Sequence, residues 1–365
     1  MQSLAFSFAV LLCGTVFPPA PCAAQSSYTM ADFGRVAKID THLHLHNAAP
    51  AFMQAARRQN FKVLTINVDY PDFPPLDDQQ RVAIALKKQF PQDVAWAASF
   101  SVDGVGQPAW LAATRQRIAA SMRSGAVGVK VWKNIGMSLR GADGQLLMID
   151  DARFAPLFDA LARQGIALLG HQGEPHNCWL PLEKMTVNND RDYFKAHPQY
   201  HMHLHPEMPS WEAQIAARDR MVAAQPTLRF IGVHLASLER DVAELAGFLD
   251  RFPNAVVDVA ARIGQLQGQS QKERERVRRF FIKYQDRILY GSDIAQAPGQ
   301  DGAALGRVAE GVWRMHWRYF NTAQSFQVAD LDNPVQGLAL PRQVVDKLYR
   351  INAQRMFVNA WGAQR

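Results

Sequence analysis

Cysteine is scarce in this chain of 365 residues, with three in all, Cys13, Cys22 and Cys178. Two of them fall in a stretch unlike the rest. Residues 1–24 carry no charged side chain, run apolar over 4–17, and close on Pro18-Pro19-Ala20-Pro21-Cys22-Ala23-Ala24. Small residues at Cys22 and Ala24 suit a signal peptidase, so a cleaved secretory signal and a periplasmic or secreted protein are predicted. The stretch also lacks the usual Lys or Arg near its start, which leaves an uncleaved anchor as the alternative. Pro21 before Cys22 argues against a lipoprotein site. With the signal removed only Cys178 remains, which excludes an internal disulfide and leaves stability to core packing. No later run reaches the ~20 apolar residues of a spanning helix. No internal repeat or composition break divides residues 25–365, which therefore read as one domain. The net charge of +7 is not concentrated either: Lys272-Glu273-Arg274-Glu275-Arg276 alternates in sign, the pattern of a solvated helix face and not of a nucleic-acid patch.

What the chain does have is regular alternation. Apolar and β-branched runs at 38–46, 61–68, 94–101, 126–133, 166–171, 228–234, 254–261 and 287–293 read as strands. Helical stretches separate them: one from Pro50, then 77–90, 109–124, 150–164, 211–224, 238–251 and 272–284. Asp77 and Asp78 start the second of these, Pro91 ends it, and Gly125 and Gly165 stop two others. Eight strands joined by such crossovers specify an α/β fold, a (β/α)8 TIM barrel. One connection is out of proportion. From Gln172 to about Pro209, a long insertion after the fifth strand is rich in Asn, His, Pro and aromatics.

The first strand, Lys38-Ile39-Asp40-Thr41-His42-Leu43-His44-Leu45-His46, spaces an acid and three histidines at alternate positions. Strand alternation places Asp40, His42, His44 and His46 on one side. Imidazoles two residues apart can reach one metal ion at about 2.0–2.1 Å. A barrel keeps its active site at the carboxyl ends of its strands. His42 and His44 close the first strand, Lys130 stands late in the fourth, and His171, His234 and Asp293 end the fifth, sixth and eighth. Circular order sets the eighth strand beside the first, so three imidazoles and a carboxylate would converge on one point. Such a set suits zinc with a position left for water. A lone histidine is more often a hydrogen-bonded core residue; convergence is what separates these from that reading.

The pattern D-x-H-x-H with His, His and Asp at those strand ends resembles the amidohydrolase superfamily, and more narrowly its amidohydrolase-related (amidohydrolase 2) branch. The likeness spans 39–357 and includes Tyr290-Gly291-Ser292-Asp293 and the closing LPRQVVDKLYRINAQRMF at 340–357. The resemblance implies one divalent cation, zinc as a rule with manganese as the other choice, held by His42, His44, His171 and Asp293. It implies His234 as a proton donor or carbonyl polariser; Asp293, anionic and adjacent, can by its chemistry accept a proton from metal-activated water and return it to the leaving group. Binuclear relatives in the wider superfamily bridge two metals with a carbamylated lysine from the fourth strand, where Lys130 stands. One metal is the expectation here, with Lys130 a charge partner for the site or for a substrate carboxylate. Alternation puts Lys133 on the opposite side from Lys130.

Glu174, Trp179 and Arg262 complete the expected substrate-binding set: the first two follow His171 closely enough to overlook the barrel mouth, and Arg262 is an anion clamp or a loop salt bridge. Trp132 and Trp179 would wall the pocket or fill core. His201-x-His203-x-His205 could hold a second metal, but Pro206 denies it a regular frame, so a substrate-covering loop is expected. Cys178 is expected to be a packed side chain. The function expected is hydrolysis of an amide, lactone or ester bond of a small organic substrate by metal-activated water. A non-oxidative decarboxylase is the alternative, since the branch includes aminocarboxymuconate-semialdehyde decarboxylase. A non-catalytic exported metal-binding protein is the third reading. A homo-oligomer is left open.

Overall fold

Phe61–Ile66 is buried along nearly its whole length, as β-branched parallel strands covered by helices must be. The same holds for its neighbours. The strands are β1 (Lys38–His44), β2 (Phe61–Ile66), β3 (Val94–Ser99), β4 (Gly128–Val131), β5 (Ala167–Gly170), β6 (Phe230–Gly232), β7 (Ala255–Asp258), β8 (Ile288–Leu289) and β9 (Ile294–Ala295). The computed structural model describes residues 27–297 and 299–362, so the predicted signal segment lies outside the described residues. The nine strands form one curled sheet in the order β8-β7-β6-β5-β4-β3-β2-β1-β9, with every pairing parallel. With helices outside it, this is a TIM-barrel-like α/β fold.

The predicted eighth strand forms in two pieces. Ile288 and Leu289 pair with β7, while Ile294 and Ala295 pair with β1. Between them Thr41 N donates to Tyr290 O at 2.9 Å and Asp293 N to His42 O at 2.8 Å. Asp293 sits at the break with φ 64°, a left-handed conformation that no strand residue holds. The break is what turns its carboxylate toward β1.

Strand β1 departs from simple alternation as well. Its register against β2 shifts between Asp40 and Leu43, so Asp40 does not share a face with His42 and His44. The Asp40 carboxylate instead accepts from Trp313 Nε1 at 2.8 Å and from Ser292 N at 3.0 Å. Trp313 belongs to the helix Gly302–Asn321, which the sequence reading passed over although its buried face carries Leu305, Trp313, Trp317 and Phe320. A β-bulge of this kind re-aims side chains beside a site.

Outside the sheet the core is continuous from Phe33 to Tyr349. Inside it, Ile39, Leu64, Leu169, Ile231 and Leu289 pack against Phe357 and Trp361. The closing segment passes through Arg342–Asp346, a π-helical turn at Lys347–Ile351, and Asn352–Met356. Asn352 Nδ2 donates to Gln285 O and Ile288 O, each at 2.8 Å, which ties that segment to the start of β8. Between β5 and the helix Trp211–Ala224 the chain makes short 3-10 turns and the helix Asn188–Ala196. This segment has a small core of its own in Cys178, Met185, Phe194 and Met202. Among the described residues no helix is long and apolar enough to cross a membrane.

Candidate active site

Two histidines on β1 present the same ring atom to one carboxylate oxygen. His42 Nε2 lies 3.2 Å and His44 Nε2 3.3 Å from Asp293 Oδ1. Their other nitrogens are fixed from behind: His42 Nδ1 donates to Asp258 Oδ2 at 2.7 Å, and His44 Nδ1 to Ile66 O at 2.8 Å. That pattern leaves a lone pair on each Nε2, the form in which imidazole ligates a metal. Ligand atoms of His42, His44 and Asp293 all lie within 4.8 Å of one another.

His171 and His234 stand across the cavity. Their ring centroids are 4.3 Å apart, and the His234 ring is 4.8 Å from that of His42. His234 Nδ1 donates to Ala260 O at 3.0 Å, whereas His171 Nε2 is buried without a hydrogen-bond partner. Burial, reinforced by neighbouring positive groups, lowers both imidazoles well below the usual histidine range. Burial would raise the Asp293 carboxyl, but His234, His42 and His44 outweigh it and hold the acid well below its ordinary value. The Nε2 atoms of His42 and His44 beside the Asp293 carboxylate fit a divalent cation that these three would hold; His171, expected as a fourth ligand, lies outside that group, its buried Nε2 without a partner.

Asp258, at the end of β7, is the functional residue the sequence reading missed. Besides His42 it accepts from His234 N at 2.6 Å and Ala260 N at 3.3 Å. Its signal was present: an acid within Asn254-Ala255-Val256-Val257-Asp258-Val259-Ala260-Ala261, a run otherwise apolar enough to be buried. The chain after β6 is strained. His234, Leu235, Ala236 and Ser237 all have φ between 54° and 58°, which costs about 1–2 kcal/mol per residue without glycine. Several bonds hold this turn, among them Ser237 Oγ to Gln172 O at 2.9 Å and Trp211 Nε1 to Ser237 O at 3.2 Å.

Gly291 has a steric reason within Tyr290-Gly291-Ser292-Asp293. A Cβ there would lie 2.7 Å from His42 Cβ and 3.1 Å from Ala260 Cβ. Gly291→Ala is expected to cost about 1–3 kcal/mol in urea unfolding and to lower bound metal by moving His42. Elemental analysis of the purified variant reads the second effect directly, and full metal content with unchanged stability would refute this role.

Two cavities meet here. The inner one, about 270 Å³, is lined by His44, Lys130, His171, His234 and Asp293 among others. The outer one, about 320 Å³, shares Tyr70, Trp132 and Lys133 with it. Lys130 Nζ is 3.4 Å from His42 Nε2, and burial lowers its ammonium to about 8. Lys133 corrects the alternation argument: β4 stops at Val131, so Lys133 lies beyond the strand and lines the same cavity as Lys130. Burial brings its ammonium to about 8 as well, and it pairs with Glu174, which lines the outer cavity.

Other expected residues fall elsewhere. Trp179 lines neither cavity; its Nε1 donates to Pro209 O at 3.1 Å. Arg262 is buried, donates to Ala261 O at 2.9 Å and also lines neither. His46 turns away to Gln296, with Nδ1 2.9 Å from its carbonyl oxygen. His201 Nε2 donates to Leu180 O at 2.8 Å and His205 Nε2 to Pro198 O at 3.1 Å, so these rings anchor loop backbone, and His205 also lines the outer cavity. Among the described residues, no metal-compatible group includes them. Cys178 is fully buried, 3.1 Å from Tyr200 O, and burial pushes its thiol up to about 12, as for a packed side chain.

No curated protein matches the sequence. Similar solved structures include 2,6-dihydroxybenzoate decarboxylase from Rhizobium, at 14% identity and TM-score 0.48 over 88% of this chain and 98% of that one. Another is 5-carboxyvanillate decarboxylase from Novosphingobium aromaticivorans with bound manganese, at 12% identity and TM-score 0.47 over 89% and 98%. A third is D-hydantoinase (dihydropyrimidinase) from Thermus sp., at 12% identity and TM-score 0.45 over 88% and 70%. The Amidohydrolase family model matches residues 39–358, most of the chain, and the protein therefore belongs to the amidohydrolase family.

Proposed function

We propose that this protein is an exported, metal-dependent hydrolase of an amide, lactone or ester bond in a small organic molecule. One observation carries the reading: Nε2 of His42 and of His44 lie 3.2 and 3.3 Å from Asp293 Oδ1 at the inner cavity. A divalent cation bound by His42, His44, His171 and Asp293, zinc or manganese by the donor types, supplies Lewis acidity there. Asp293, at the cavity wall beside His42 and His44, accepts a proton from the attacking water and returns it to the leaving atom. His234 is neutral with its proton on Nδ1, so Nε2 takes up a proton before it can donate one. Lys130 supplies positive charge at the cavity wall for the oxyanion or a substrate carboxylate.

A second reading, decarboxylation of an acid substrate, is favoured by Lys130 lining the inner cavity, since an ammonium there would hold a carboxylate beside the metal position. Product analysis in 18O-labelled water across lactones, amides, esters and aromatic acids separates the two. Label in the product acid is expected; released carbon dioxide without label transfers the assignment to the lyase. Absence of turnover by metal-loaded protein across the whole panel would leave only the non-catalytic reading. Export predicts that protein recovered from the periplasm begins at Gln25.

A further inference from the structure

The outer cavity has a chemistry different from that of the inner one. Tyr70, Trp132 and Lys133 line both; the inner cavity adds imidazoles, Lys130 and Asp293, whereas the outer adds Tyr193, Tyr200, Met202 and Met208, with Glu174, His205 and Glu207 among its polar residues. Aromatic faces and thioethers together favour a flat π-system over a charged or strongly hydrated group. Size narrows the choice. An apolar cavity of roughly 150 Å³ takes one benzene, and about 320 Å³ leaves room for two fused rings.

The cavity is also held in shape before anything enters. Four of its walls come from the segment between β5 and the helix Trp211–Ala224, and that segment is tied down at several points. Asn177 Nδ2 and Gln265 Nε2 donate to Asp190 Oδ2 at 2.8 and 2.9 Å, which joins the segment to the helix Ile263–Lys283. His201 grips Leu180 O, and Trp179 grips Pro209 O. A wall fixed in advance loses little freedom on binding. Lys133 stands at the junction, lining both cavities, with its ammonium on Glu174.

We propose that the outer cavity is a subsite for a two-ring aromatic group of the substrate, connected past Lys133 to the scissile bond in the inner cavity. The assignment rests on the proposed activity for what lies in the inner cavity, but the binding it describes does not need that activity. Substrates would then be two-part molecules, a compact polar head and a fused-ring tail.

The test is calorimetry on the full chain stripped of metal, with 2-naphthamide, benzamide and acetamide as probes. Naphthamide is expected to bind at least tenfold more tightly than benzamide, and acetamide to show no measurable heat. Ser138→Trp, at an exposed position on the cavity rim, fills the space, and Tyr200→Ala removes one wall. Each variant should bring naphthamide to the benzamide level while its circular dichroism and melting temperature match the parent. Equal affinity for the two aromatic amides in the parent, or an undiminished naphthamide preference in both folded variants, overturns the proposal. Because no metal is present, failure of hydrolysis with every substrate would refute the activity and leave this measurement standing.

Discussion

His42→Ala protein is expected to purify without its cation and to turn over about a thousandfold or more slowly, while His234→Ala keeps the cation and loses turnover by about 10²–10⁴. The difference follows from where the two rings are fixed. His42 Nδ1 is held by Asp258, which aims Nε2 at Asp293 Oδ1, and His42 shares with His44 and Asp293 a group of ligand atoms within 4.8 Å. His234 is held through Ala260 O and falls in a second group, with His42 and Asp258, whose carboxylate already accepts from His42 Nδ1 and His234 N. Metal content by elemental analysis and turnover on one substrate are to be measured on the same preparations. His42→Ala leaves the Asp258 carboxylate buried without its main partner, so His42→Gln, which keeps a donor toward it, checks that metal loss is not unfolding. An emptied site in His234→Ala would make that residue a ligand. Full metal content in folded His42→Ala would remove the cation from β1 altogether.

Much of this arrangement was legible in the sequence because strand ends are marked by residue type. Histidine or acid at the close of an apolar run is costly to bury without a purpose, and His42, His44, His171, His234 and Asp293 all stand there. What the sequence could not show was every place where the backbone departs from a regular strand. Alternation grouped Asp40 with His42, and the register shift in β1 parts them. It also separated Lys133 from Lys130, yet β4 has ended before Lys133 is reached. The eighth strand was read as continuous, whereas left-handed Asp293 divides it. The helix Gly302–Asn321 follows the last strand of the barrel and ends on no strand-end histidine or acid, although Trp313 and Trp317 at i and i+4 mark its buried face. Trp179 and Arg262, expected at the pocket, hydrogen-bond to the loop carbonyls of Pro209 and Ala261, and no periodic rule governs that choice.

Asp258→Ala is expected to cost about 3–5 kcal/mol of stability, a large share of the ~5–15 kcal/mol available to a folded domain. The carboxylate is 1% exposed and receives His42 Nδ1 at 2.7 Å, His234 N at 2.6 Å and Ala260 N at 3.3 Å. Alanine would leave those donors buried without an acceptor, and the left-handed run from His234 to Ser237 would lose one of the bonds that hold it. Asp258→Asn keeps the shape but replaces one acceptor with a donor, so the His42 ring loses its anionic partner. Metal affinity should then fall by about 10–100-fold, with a smaller loss of stability. The pH dependence gives a further signature. Burial would raise the Asp258 carboxyl, yet His42, His234 and Lys130 outweigh it and hold it below 3.8. The unfolded chain therefore takes up this proton first as the solution is acidified, so the contribution is present in full above pH 3.8 and is lost as pH falls further. Urea unfolding of parent and Asp258→Asn at a series of pH values should show curves that converge toward the acid end. A gap that stays constant, or an Asp258→Ala midpoint within about 1 kcal/mol of the parent, would mean that His42 and His234 are positioned by something other than this carboxylate.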